Sequence, residues 1–332
     1  MRKLHSLLSV VLPLLALIVI VKGAYVRLSD AGLGCPDWPG CYGQLLVPAT
    51  AQELSDTSKL AARPLETGKA WREMIHRYLA SSLGALILLL ALSAWFTRQR
   101  RALTIALLLV PLVMVQGLLG MWTVTLMLKP LIVVAHLLGG FTLLALLWWN
   151  LLEVWQCPRR ESLTGLRRFA ALAMVILGLQ VFLGGWTSAN YAALACTDFP
   201  RCQGQWWPTV DFHNAFILWR GLGVNYEFGV LETPARTAIH VAHRAGAFLV
   251  ILVGLGLFLY ARRVADARGC RIAWCILALL ALQVMLGITN VMRGLPLPVA
   301  VMHNGVAALL LLGLVTLFHY ASPVGGGQDR KQ

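Results

Sequence analysis

Four histidines are spaced as two equal pairs. His76 and His136 lie 60 residues apart, and so do His243 and His303. Each stands near the start of a long apolar run, where an ionisable side chain is costly and is usually kept for function. Imidazoles relay protons and bind metals. Two of them on facing helices of a bundle are the usual axial pair for a low-spin heme iron. Bare zinc or copper asks for further donors, and no cysteine or carboxylate cluster shares this depth. One turn after each histidine, on the same face, comes Ala80, Gly140, Ala247 or Ala307. Small residues there leave room for a flat macrocycle, though they also serve plain helix packing. The pattern favours one heme per pair, with satisfied packing histidines or a proton path as alternatives. His5, His213 and His319 read as surface or interfacial residues.

The neighbours of the two pairs differ. Glu73-x-x-His76-Arg77 in the first faces His240-x-x-His243-Arg244 in the second. Glu73 shares a helix face with His76, where a carboxylate suits proton transfer or developing positive charge in a reacting substrate. A plain acid at a helix start is the other reading. Arg77 and Arg244 suit heme propionates, or else snorkel to the interface. Cys35/Cys41 and Cys196/Cys202 each enclose a proline-containing loop, as two disulfides would on an oxidising side. Cys157, Cys270 and Cys275 fall on the opposite, reducing side and are expected to be free.

These residues need helices in a bilayer to position them. Of 332 residues, 58% are apolar and 13% charged, with mean hydropathy +0.72. No water-soluble surface accommodates that composition. Eight apolar runs are long enough to cross about 30 Å of hydrocarbon: Leu7–Val26, Ile75–Phe96, Ala102–Val124, Leu131–Val154, Phe169–Ser188, Ala238–Tyr260, Ile272–Val291 and Val299–Tyr320. Backbone satisfaction in lipid makes them helices. The fold class is an all-α polytopic membrane protein. The net charge of +14 comes from clusters at Arg2–Lys3, Arg98–Arg101, Arg159–Arg168, Arg262–Arg271 and Arg330–Lys331. All share one side if both termini are cytoplasmic. The opposite short turns hold only Lys129 and Arg293. Nucleic acid is not an expected partner.

The chain also reads as a duplication. At an offset of 161, Gly23, Leu33, Cys35, Asp37, Pro39, Cys41, Gly43 and Gln44 match Gly184, Leu194, Cys196, Asp198, Pro200, Cys202, Gly204 and Gln205. At an offset of 167, Gln116, Gly120 and His136 match Gln283, Gly287 and His303. Two tandem, pseudo-symmetric four-helix bundles follow. One covers residues 1–160 with a long outer loop at about 27–70, the other 161–332 with a loop at about 189–237.

The run Gly32-Leu33-Gly34-Cys35-Pro36-Asp37-Trp38-Pro39, the Glu73-x-x-His76-Arg77 motif and the three later span histidines resemble the heme A synthase family. The resemblance runs from about Lys22 to His303. It implies an oxidoreductase that turns heme O into heme A, oxidising the C8 methyl to a formyl by successive hydroxylations, for cytochrome oxidase biogenesis. It further implies that His243 and His303 hold a resident heme b and that His76 and His136 bind the substrate heme. Glu73 becomes a catalytic residue, and both cysteine pairs point to a bacterial, disulfide-bearing type in the inner membrane with its long loops on the periplasmic side. Implied partners are membrane lipid, the farnesyltransferase that makes heme O and an electron-transfer protein, with homo-oligomerisation left open. A di-heme cytochrome b and a heme transporter are the competing classes.

Overall fold

The computed structural model describes residues 1–50, 53, 63–97, 100–160 and 163–323. Eight long helices span them: α1 Arg2–Leu28, α2 Thr67–Thr97, α3 Arg100–Thr125, α4 Pro130–Val154, α5 Thr164–Ala189, α6 Thr233–Val264, α7 Ala267–Met292 and α8 Leu297–Tyr320. All eight are long and apolar enough to cross a membrane, and they match the eight expected runs one for one. Among the described residues there is no strand, only the isolated bridges Cys41–Gln44 and Cys202–Gln205. Arg98, Arg330 and Lys331, counted above among the clustered cations, lie outside the described residues.

Helix ends differ from the apolar runs. α2 begins at Thr67, well before Ile75, and α6 at Thr233, before Ala238. Hydropathy marks the hydrocarbon-buried stretch, whereas helical hydrogen bonding continues into the wet interface. Local signals start the helices there. Pro130, Pro234 and Pro298 sit in first turns, where a missing N–H costs nothing. Asp266 caps α7 by accepting the N–H groups of Arg268 at 2.9 Å and Gly269 at 3.0 Å.

Packing closes two rings. In the first, α1 and α3 each touch both α2 and α4; in the second, α5 and α7 each touch both α6 and α8. The rings meet through α1–α8, α4–α5 and α4–α8. Small residues let these helices approach: Gly185 lies against Val134 and Leu137, and Gly305 against Val21. Trp148 donates to Thr316 across α4–α8 at 2.8 Å. Leu12, Ile87, Leu144 and Leu147 anchor one core, and Leu166, Leu257, Ile276 and Leu314 the other. Leu92, Trp95, Leu107, Leu179 and Leu252 point outward, as an acyl-chain solvent permits.

One end of the bundle is tied by polar contacts that correct two of the histidine readings. His5 bonds Ser93 at 2.8 Å, and His319 receives the Arg159 guanidinium at 3.1 Å. Both histidines are 2% exposed, so they are interior groups rather than surface ones. Their partners lie 88 and 160 residues away, beyond the reach of local pattern. His213 is exposed, as expected. Lys129, read as a turn cation, is buried instead, with its ammonium on the Gly221 carbonyl and 3.4 Å from the centre of the Trp219 ring.

Candidate functional site

Each histidine of the two pairs stands opposite a glycine of the preceding helix. A Cβ added at Gly23 would lie 3.0 Å from the His76 ring, and one at Gly184 3.1 Å from His243. Gly120 and Gly287 stand likewise to His136 and His303, at 3.5 and 3.2 Å. The glycines let the imidazoles enter helix–helix contacts, and at Gly23, Gly184 and Gly287 even a Cβ would crowd the ring. His76 and His243 fall in the third turns of α2 and α6, deeper than the first turns expected, because those helices start early. All four rings are half-buried.

The donor set fits a heme. Nδ1 of His76, His136 and His303 is buried without a hydrogen-bond partner, a state that asks for an explanation. No group of three or more His, Cys, Asp or Glu side chains gathers among the described residues. A ligand that brings its own equatorial nitrogens and needs only two axial imidazoles suits this arrangement. The four glycines on neighbouring helices, which the sequence reading passed over, make space for the imidazoles themselves. Of the small residues it chose instead, Gly140 stands against Ile20 and Ala307 is buried in the apolar core.

Two disulfide loops pack against α2 and α6. Cys35–Cys41 and Cys196–Cys202 are bonded, and Cys157, Cys270 and Cys275 are free. Tyr42 and Gly43, and likewise Gln203 and Gly204, have positive φ, as two-residue type I′ turns require. Asp37 accepts the N–H groups of Tyr42 and Gly43 at 2.6 and 2.7 Å; Asp198 accepts those of Gln203 and Gly204 at 2.6 and 2.9 Å. The Gly204 N–H, followed by that of Gln203, holds the Asp198 carboxyl below the usual carboxylate range.

Arg77 and Arg244 fasten these loops to the bundle. Arg77 donates to the carbonyls of Asp37 at 2.9 Å and Gly40 at 2.7 Å; Arg244 donates to those of Asp198 at 2.7 Å and Arg201 at 2.8 Å. Glu73, 4% exposed, pairs with Arg77 through one oxygen and accepts the Cys35 N–H at 2.9 Å through the other. In the second ring His240 instead meets the Ala192 carbonyl at 3.1 Å. Nε of Arg244 is buried and without a partner.

The outer segments are cross-linked between rings. Arg63 forms a two-pronged pair with Glu227 at 2.8 and 2.6 Å, and that hydrogen bonding holds the Glu227 carboxyl below its usual range. Arg27 donates to the Ser188 carbonyl at 2.7 Å, and Tyr226 N–H to the Met127 carbonyl at 3.1 Å.

Comparison with known proteins agrees with this geometry. The model of a family described as cytochrome oxidase assembly protein matches residues 6–315. A heme A synthase of Shewanella oneidensis is 47% identical over 313 residues, 92% of this chain and 92% of its own. Heme A synthases of Caulobacter vibrioides and Halalkalibacterium halodurans are 28% and 26% identical, covering 88% and 90% of this chain and 89% and 90% of their own. With eight membrane-capable helices and a match across nearly its whole length, the chain belongs to the heme A synthase family of cytochrome oxidase assembly proteins.

Proposed function

We propose that this membrane enzyme converts heme O into heme A by stepwise oxidation of the ring's C8 methyl. The observation that carries the reading is a repeated frame with one chemical difference: the same histidine–glycine opposition occurs four times, but among the described residues a carboxylate, Glu73, takes the place that His240 has in the second half. Residues 1–160 form the reacting half, where His76 and His136 orient the substrate heme. Residues 161–332 form the supporting half, where His243 and His303 hold a resident heme b. That cofactor, when bound, supplies one-electron redox capacity. Glu73 would take up a proton at a carboxylate oxygen as the substrate methyl is oxidised. Arg77 fixes the orientation of Glu73 and holds the first disulfide loop closed against water, while the free Nε of Arg244 suits a propionate of the resident heme.

Both termini face the cytoplasm of a bacterial inner membrane, with the disulfide loops in the oxidising periplasm. Heme O arrives from the farnesyltransferase that makes it, and an electron-transfer protein completes the cycle. Extraction of pigments after expression with a heme O source, followed by mass spectrometry, tests the reading. Heme A together with heme b is the expected result. Two permanently bound, unmodified hemes would identify an electron carrier instead.

A further inference from the structure

Two of the four histidines meet a glutamine amide, and a third has a glutamine on the helix it faces. The Gln180 amide nitrogen lies 3.0 Å from Nδ1 of His243, and that of Gln283 lies 3.3 Å from Nε2 of His303. Gln116 stands one turn before Gly120, as Gln180 does before Gly184 and Gln283 before Gly287. A side-chain amide carries a donor and an acceptor, so a half-turn of its end lets its oxygen receive a ring N–H.

The space these amides occupy is provided on the facing helix. The Gln180 oxygen lies 2.1 Å from where a Cβ at Gly246 would be, and the Gln116 nitrogen 1.8 Å from where one at Gly139 would be. Those glycines come three residues after His243 and His136. At His303 the corresponding residue is Val306, and the Gln283 amide reaches the ring itself.

His76 lacks both halves of the device. By the offsets of the repeat, Gln180 corresponds to Val19 and Gly246 to Leu79. Val19 packs in the apolar core and carries no amide, so Nδ1 of His76, buried without a partner like those of His136 and His303, has no glutamine that can turn toward it.

We propose that His76 is the exchangeable axial ligand of the four, and that Val19 and Leu79 make it so. A partner on the non-ligating nitrogen fixes ring orientation and raises basicity, and its loss costs about 10- to 100-fold in metal affinity. An enzyme that releases one heme and keeps another needs one such weak ligand, on the side of turnover. Gln180 and Gln283 are the positioning residues that make the other site retentive. The inference rests on the assignment of His76 to the substrate heme and His243 to the resident one.

Transfer of heme from the purified full-length protein to excess apomyoglobin, followed by absorbance, tests it. Wild type should release heme in a fast phase that is absent in His76→Ala and a slow phase that is absent in His243→Ala. Val19→Gln combined with Leu79→Gly should slow the fast phase about tenfold or more while leaving the slow phase as an internal check on folding. Val19→Gln alone serves if the double variant loses its second heme. Gln180→Val should speed the slow phase about tenfold, and Gln180→Glu, which keeps an acceptor for the ring N–H, should restore it. Unchanged rates in Val19→Gln/Leu79→Gly and in Gln180→Val would overturn the inference while leaving the histidine assignment intact. Survival of both phases in His76→Ala and His243→Ala would overturn the assignment itself, and the inference with it.

Discussion

Glu73 accepts the backbone N–H of Cys35 at 2.9 Å, so the acid beside His76 is also the point at which the first disulfide loop meets the bundle. Its second oxygen pairs with Arg77, which itself holds the loop carbonyls. Loop closure and the state of this carboxylate are therefore linked. His240 keeps the loop contact of the second ring but offers no carboxylate.

Glu73→Gln separates the two roles. The amide keeps an acceptor for the Cys35 N–H and leaves the histidines untouched, so heme binding should stay near wild type. Heme A formation should fall roughly 100-fold or more, with heme O or a hydroxylated intermediate accumulating in extracted pigment. His240→Ala should lower turnover less. Heme A production by Glu73→Gln at the wild-type rate would reduce Glu73 to a loop anchor.

The glycine opposition gives a steric test. Gly184→Val puts a Cβ 3.1 Å from Cε1 of His243 and adds two methyl groups beyond it. The ring has to move, and the low-spin heme signal of the purified protein should drop about tenfold or more. Gly178→Val, on the same helix with nothing within 4 Å of its added Cβ, should leave the signal in place.

Thiol chemistry reports compartment as well as bonding. Without reductant, alkylation should label Cys157, Cys270 and Cys275 and spare Cys35, Cys41, Cys196 and Cys202. Labelling of the latter four in protein taken from intact membranes would place the loops on the reducing side.

The pair Arg63–Glu227 should give a pH signature. Arg63 holds the Glu227 carboxyl below its usual value. Its contribution is therefore complete above the ordinary glutamate pKa of about 4.3 and fades as pH falls through the lowered value. Partly exposed, the pair is worth roughly 1 kcal/mol at neutral pH. Glu227→Gln should unfold at a lower temperature than wild type at pH 7, and the gap should close below about pH 4. A gap that persists there would mean the pair adds nothing through its charge.

Much of this was legible in the sequence, for identifiable reasons. Lipid demands long unbroken apolar helices, so all eight declared themselves by hydropathy, and the two disulfide pairs were readable from repeated spacing. Helix starts were not, since the first turns of α2 and α6 lie outside the hydrocarbon. Gly23 and Gly184 were visible as matched residues, but only packing reveals that they stand against His76 and His243. The burial of His5 and His319 depends on contacts with Ser93 and Arg159, which no local window contains.

Pigment analysis of four single variants tests the division of labour most directly. His76→Ala, His136→Ala, His243→Ala and His303→Ala would each be expressed with a heme O source, purified and extracted. His243→Ala and His303→Ala should lose heme b, whereas His76→Ala and His136→Ala should keep heme b and make no heme A. Loss of heme b from His76→Ala or His136→Ala, with heme b retained in His243→Ala and His303→Ala, would contradict the assignment of the two halves.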